Sequence, residues 1–167
     1  MGDVIRTRKI IILAILIMAV YSTFLFSRIF LQRITDEDIP EIVRLTLERA
    51  LVDGKIPAYE MIKDNESIVL STENIDLSLI PKLPGVNFTL LSRDEIQEKA
   101  DREGDFLYLR FHQLKIEDFK VLISLDNTWA VSKDSKVLYL CGGGFTIEYT
   151  KDFFGRLHSR ALSFWTA

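Results

Sequence analysis

The most conspicuous candidates for a functional site are Cys141 and the three glycines that follow it, Gly142, Gly143 and Gly144. A glycine loop that cradles phosphate joins a strand to a helix and carries a lysine and a hydroxyl residue. Here the following residues, FTIEY, have the character of a strand. The run therefore predicts a bulge or kink that lets a long strand bend. Cys141 is interpreted as a small buried hydrophobic side chain.

Two patterns in the sequence resemble metal sites, but one has the wrong residue spacing and the other has too few histidines. Asp101, Glu103 and Asp105 alternate like the start of a calcium loop, which needs glycine at its sixth position and glutamate at its twelfth. The chain has phenylalanine and histidine there. His112 and His158 are its only histidines, so a site of three histidines cannot form. The sequence predicts no metal site, no cofactor and no catalytic residues.

Aromatic residues of the C-terminal half are the remaining candidates for a ligand site. If the strands that carry them form a curved sheet, Tyr108, Trp129 and Tyr139 would line its concave side, and we predict them as ligand-binding residues. A tyrosine hydroxyl beside a carboxylate such as Asp126 could then do acid–base work. The alternative is that these rings are part of the core, as aromatic residues of strands usually are.

The N-terminal segment 10–27 contains no charged residue, and basic residues flank it. Those flanking residues are Arg6, Arg8, Lys9, Arg28 and Arg33. A helix of 18 residues measures about 27 Å, close to the roughly 30 Å of a bilayer core. Bulky Tyr21, Phe24 and Phe26 stand where a cleaved signal peptide would need small residues. The pattern predicts an uncleaved transmembrane anchor, with a cleaved signal peptide as the alternative.

The position of the anchor predicts the organisation of the chain. The small excess of basic residues before it places the N-terminus in the cytoplasm and the C-terminal domain outside. The predicted parts are a basic cytoplasmic N-terminus at 1–9, a transmembrane anchor at 10–31, a juxtamembrane link at 32–38 and an α+β globular domain at 39–167.

The charge composition of the chain indicates which class of partner it does not bind. The chain of 167 residues has a formal net charge of −3, and residues 36–167 carry 16 basic against 23 acidic residues. An acidic domain lacks the positive surface that nucleic-acid binding requires, so we predict no nucleic-acid partner. The single cysteine excludes a disulfide within the chain.

The domain is predicted to begin with helices and short strands. Apolar residues at helical spacing predict a helix over 39–53 that packs on a sheet. Ser92 and Glu95 form a capping-box pattern that opens a second helix, which is expected to end before Gly104 and to lie on the surface. Short strands are predicted at 67–72 and 88–91, separated by a proline-bearing loop over 73–87.

From residue 105 the apolar pattern changes to the alternation of strands. Strands are predicted at 106–116, at 119–125, at 137–149 with an interruption at the glycines, and in a last segment that ends at Trp165. Short polar segments between them predict an antiparallel meander of four strands. The fold class is therefore predicted as α+β, with an N-terminal transmembrane helix and about two helices packed on one face of a curved antiparallel sheet.

The segments GGGFTIEYTKDFFGRL and SFW, together with helices at 39–53 and 93–103, resemble the layout of the ketosteroid-isomerase-like superfamily, also called the nuclear-transport-factor-like fold. This resemblance implies a cone-shaped domain whose pocket either houses catalysis or binds partners. The stretch LLSRDEIQEKADREGDFLYLRF also resembles uncharacterised membrane-anchored bacterial proteins. That second resemblance implies no activity.

Three functional hypotheses follow from these patterns. The first is a membrane-anchored extracytoplasmic domain that binds a protein partner or a small apolar ligand. The second is a cone-fold isomerase or hydratase that uses a buried carboxylate and a tyrosine. The third is a structural subunit of a membrane assembly, with helix contacts drawn from Ile15, Leu16, Met18 and Ala19.

Overall fold

The computed structural model describes residues 14–26, 31–63, 67–137 and 142–166. Within these ranges the chain forms three α-helices of more than ten residues, three short 3-10 helices and six strands. The helices are α1 at residues 14–26, α2 at Ile39–Leu51 and α3 at Arg93–Glu103. The strands are β1 Ile68–Ser71, β2 Phe88–Leu91, β3 Phe106–Glu117, β4 Lys120–Ala130, β5 Gly143–Lys151 and β6 Leu157–Thr166. The α+β class predicted from the sequence is confirmed.

The six strands form one sheet in the order β2-β1-β3-β4-β5-β6. Strands β3 to β6 are the antiparallel meander that the alternating pattern predicts. However, β1 runs parallel to both β2 and β3, so the sheet is mixed and the prediction of a purely antiparallel sheet is wrong. Parallel neighbours need a crossover connection. The proline-bearing segment between β1 and β2 supplies one, and α3 supplies the next.

Helix α2 covers one face of the sheet with the apolar stripe seen in the sequence. Ile42, Val43 and Leu47 are fully buried against side chains of the central strands. In the same layer, Thr46 is within hydrogen-bonding distance of Tyr149, with 3.1 Å between their hydroxyl oxygens. Burial of the phenol raises the pKa of Tyr149 above its ordinary value. This layer holds the main core.

Helix α3 lies on the opposite face. Its Ile96 and Ala100 pack with Val69 of β1 and Ala130 of β4 in a second, smaller apolar cluster. The prediction that the helices share one face is therefore wrong, because the few apolar residues of α3 are enough to cover the short β1–β2 side. The predicted capping box is confirmed: the Ser92 backbone N–H donates to the glutamate carboxylate three residues on, at 2.7 Å.

The prediction of a membrane anchor over residues 10–31 is wrong for the described structure. Among the described helices, none is both long enough and apolar enough to cross a membrane. Residues 1–13 and 27–30 lie outside the described residues. The predicted single-pass localisation is overturned with the anchor.

The glycine run is also different from its prediction. Gly143 and Gly144 are regular residues of β5, paired with Asn127 and Asp126 of β4. The irregularity between β5 and β6 lies instead between Thr146 and Ile147. An added Cβ at Gly143 or Gly144 would lie within 3 Å of neighbouring atoms, so these glycines permit close approach, and the predicted bulge is not found at these two residues. Residue 141 lies outside the described residues, so the interpretation of its cysteine stays a prediction.

Candidate partner-binding surface

The three residues predicted to bind a ligand do not share one face of the sheet. Tyr108 lies opposite Thr128 and packs with the cluster under α3. Trp129 lies opposite Leu107 and packs against the main core under α2. Tyr139 lies outside the described residues. Because successive strand residues point to opposite faces, Tyr108 and Trp129 are separated by the sheet. Their binding of a ligand stays a prediction.

A polar cluster occupies the sheet face opposite α2. The carboxylate of Asp126 is only 4% exposed, and its Oδ2 lies 3.3 Å from Nη2 of Arg110 and 3.6 Å from Nδ1 of His112. Among the described residues, no hydrogen bond joins Asp126 to Tyr108. The carboxylate therefore neutralises a neighbouring guanidinium instead of facing a phenol, and the acid–base pair considered from the sequence is not assembled.

Within the described ranges, no group of three or more acidic, histidine or cysteine side chains could hold a metal ion. One cavity lies between the C-terminal end of α2 and the segment before β2, and its volume is about 220 Å³. Ligand pockets usually measure about 300–1,000 Å³. This cavity is smaller than that range, whereas two open depressions fall within it: one of about 420 Å³ along α1 and one of about 470 Å³ beside the turn between β3 and β4.

A large apolar surface is made by α1 and the turn between β5 and β6, and we call it the helix–hairpin surface. Its α1 residues are all more than 40% exposed. They are Ile15, Leu16, Ile17, Met18, Val20, Tyr21, Phe24, Leu25 and Phe26. Phe153 and Phe154 of the turn complete it, and Phe154 is 64% exposed. A helix that is apolar on every side is normally buried. This one is exposed in the isolated chain.

The area of the helix–hairpin surface exceeds that expected for a monomer. Tyr21, Phe26 and Phe154 are each more than 60% exposed. At ~150–250 Å² for each aromatic side chain, these three rings alone present about 300–400 Å². The aliphatic residues of α1 add at least as much again. The largest apolar patch of a typical monomer is about 300–600 Å² and is often functional.

Aromatic contacts join α1 to the turn. The rings of Phe24 and Phe153 meet edge to face, with 6.4 Å between their centroids. Phe153 meets Phe154 in the same way at 5.6 Å. The guanidinium of Arg156 lies over the Phe154 ring, 5.3 Å from its centroid. A cation over an aromatic face is a stabilising arrangement, so the turn presents its rings in a fixed orientation.

The carboxylate of Asp152 holds the turn closed. It accepts hydrogen bonds from the backbone N–H groups of Phe154 at 2.8 Å and Arg156 at 2.9 Å. It also accepts from the Arg156 side chain, and it lies 3.1 Å from Nε2 of His158. The bond from the Arg156 backbone, followed by the contact with His158, keeps the pKa of Asp152 well below its ordinary value.

This depressed pKa predicts how the turn responds to acid. A carboxylate whose pKa is lower in the folded state contributes stability above its unfolded pKa, and the contribution is lost as pH falls through the folded value. We expect Asp152→Asn to lower the free energy of unfolding at pH 7, and the difference from the wild type to shrink below about pH 4. Urea unfolding at pH 7 and pH 3 measures it. Asp134→Asn, at an exposed turn residue, is the control, and an equal loss at both pH values would contradict the assignment.

The sequence by itself predicts only a turn at segment 152–156, between the last two strands. The signal it missed is the pair Phe153-Phe154, because two adjacent large apolar residues at a hairpin turn are unusual where polar residues are expected. Comparisons with known protein families, with curated proteins and with solved structures gave no match. The resemblance to the ketosteroid-isomerase-like superfamily therefore stays a prediction.

Proposed function

We propose that this chain is a protein-binding domain whose partner docks on the helix–hairpin surface. The observation that carries the proposal is the exposure of an apolar helix on all of its sides, continuous with the two phenylalanines of a hairpin turn. Burial of apolar surface is the dominant favourable term in most protein association. A partner that covers this surface removes from water an area of the size found in stable interfaces, about 800 Å² per side.

The composition of the surface supports a protein as the partner. Cores of protein interfaces are enriched in aromatic residues, methionine and arginine and depleted in lysine and acidic residues. The described part of α1 contains three aromatic residues and a methionine and no charge. The turn adds two phenylalanines and Arg156, which lies over one of them. A partner with an apolar groove or an apolar helix face has the matching chemistry.

The proposal predicts that a charge on α1 abolishes docking. Met18 and Val20 are 67% and 69% exposed, so a carboxylate there is solvated in the free chain but would be desolvated beneath a partner. We expect Met18→Glu and Val20→Glu each to weaken partner binding by about tenfold or more. The measurement is quantitative recovery of the partner with the full chain as bait, followed by titration of the purified partner.

The matched control is Phe119→Glu at the turn between β3 and β4. Phe119 is also about half exposed, but it lies outside the helix–hairpin surface. Its variant should bind as the wild type does. Equal binding by all three variants would contradict the proposal. Flotation of the chain with phosphatidylcholine vesicles, lost in Val20→Glu and without any stoichiometric protein partner, would also contradict it.

A further inference from the structure

Strand β6 is the long open edge of the sheet. It runs over Leu157–Thr166 and pairs with β5 on its inner side only, while its outer side has no strand partner among the described residues. The other edge, β2, has just four residues. An edge strand presents unpaired backbone N–H and C=O groups that can pair with another strand. Ten residues of open edge are therefore a large template for strand addition.

Two of the usual devices that block an edge are missing from β6, although the irregularity opposite Thr146 and Ile147 of β5 is a bulge, which is a third such device. Natural edges are protected by lysine, by proline or by very short strands, and β6 contains neither lysine nor proline. Its one permanent charge, Arg160, donates to Glu148 of β5 at 2.8 Å. Leu162, Phe164 and Trp165 are all more than 40% exposed on this strand. The edge is apolar at its C-terminal half and carries little free charge.

We infer that β6 pairs antiparallel with β6 of a second copy of this chain, about a two-fold axis perpendicular to the sheet. A full overlap of two ten-residue strands sets the first residue opposite the last, so that Leu157 faces Thr166 of the second copy. In a regular strand these two residues would point to opposite faces. The irregularity opposite Thr146 and Ile147 of β5 removes this conflict, because it shifts the alternation by one residue within β6.

The register of β6 with β5 shows that paired residues of the two β6 strands then point to the same face of the sheet. Leu157 and Thr166 lie opposite Lys151 and Gly143 of β5, which point to the same face because they are eight residues apart. His158 and Trp165 lie opposite Thr150 and Gly144 and share the other face. The overlap gives four matched residue pairs on each side of the axis, with the two irregularities at the centre.

The side chains that meet in this register favour a second copy as the occupant. His158 lies opposite Trp165 of the second copy, and aromatic cross-strand pairs are stabilising. Arg160 lies opposite Ser163 of the second copy, so the permanent positive charges of the two chains do not face each other. Each contact occurs twice by symmetry. The product is a continuous sheet of twelve strands from two copies of the six-stranded sheet.

Because residues 160 and 163 of the two copies face each other, opposite charges at position 163 should change the stability of the dimer in opposite directions. Ser163→Lys sets two like charges against each other twice and should weaken the dimer by about tenfold, whereas Ser163→Glu should strengthen it by a similar factor. The dimer dissociation constant of the full chain is measured by sedimentation. Gln113→Lys and Gln113→Glu, at an exposed position of β3, are matched controls that should leave the constant unchanged.

The same measurements in the Val20→Glu background separate this inference from the proposed function, because that change weakens the helix–hairpin surface and leaves β6 intact. A chain that stays monomeric at every concentration overturns the inference. A dimer that responds equally to both charges at position 163, or to neither, also overturns it. Competition by an unrelated extended peptide, with no dimer in its absence, would assign the edge to another partner.

Discussion

Gly143→Ala is expected to destabilise the fold by about 3 kcal/mol or more, although alanine is normally the better strand residue. A Cβ atom at Gly143 would lie 2.5 Å from the Cβ of Pro57 and 2.5 Å from the backbone oxygen of Trp165. Neither neighbour can retreat at low cost. The Pro57 carbonyl accepts a hydrogen bond from buried Asn127 at 2.9 Å, and the Trp165 backbone belongs to the β5–β6 pairing.

The matched control for Gly143→Ala is Gly85→Ala. Gly85 has a φ of +74° and nothing within 4 Å of the added Cβ, and it lies in a turn in which the Val86 N–H donates to the Leu83 carbonyl at 3.2 Å. Only left-handed backbone strain of about 1 kcal/mol is therefore expected. Urea unfolding of the three proteins gives the free energies. A Gly143→Ala variant as stable as Gly85→Ala would show that β5 does not lie as close to β6 and Pro57 as described.

Phe145→Ala is expected to cost about 3–5 kcal/mol, out of the 5–15 kcal/mol that stabilise a typical domain. Phe145 is the third residue of β5 and is 0% exposed. It pairs with Leu125 of β4, and its ring centroid lies 6.0 Å from that of Phe164 on β6. Removing it leaves a cavity between three strands, which cannot collapse because the strand spacing is fixed by hydrogen bonds.

Phe119→Ala is the control for this core substitution. Phe119 is half exposed at a turn, so its loss should cost less than 1 kcal/mol. Thermal or urea unfolding of both variants measures the difference. Similar small effects for the two would contradict the burial of Phe145 between β4 and β6.

Local signals in the sequence predicted the elements whose stability is local. The capping box of Ser92 and Glu95, the stripe of α2 and the alternation of β3 to β6 depend on neighbours within a few residues. The parallel pairing of β1 with β2 and β3 depends on contacts distant in sequence between strands of only four residues. Such short runs carry no signal of direction or partner.

The candidate surface was predicted less well than the fold. The apolar character of α1 is evident in the sequence, but its contact with Phe153 is not. The ion pair of Asp126 with Arg110 arises from cross-strand register, which depends on the whole sheet. A one-residue change of register would have put these side chains on opposite faces.

The measurement that tests the central claim most directly is site-specific photo-cross-linking on the helix–hairpin surface in the native cell. A photoreactive phenylalanine analogue replaces Val20 of α1, and the control carries it in place of Phe119, outside that surface. Docking of a protein partner predicts a cross-linked protein of one defined mass from position 20 and none from position 119. Adducts to lipid alone at position 20, or equal protein adducts at both positions, would contradict the proposed function.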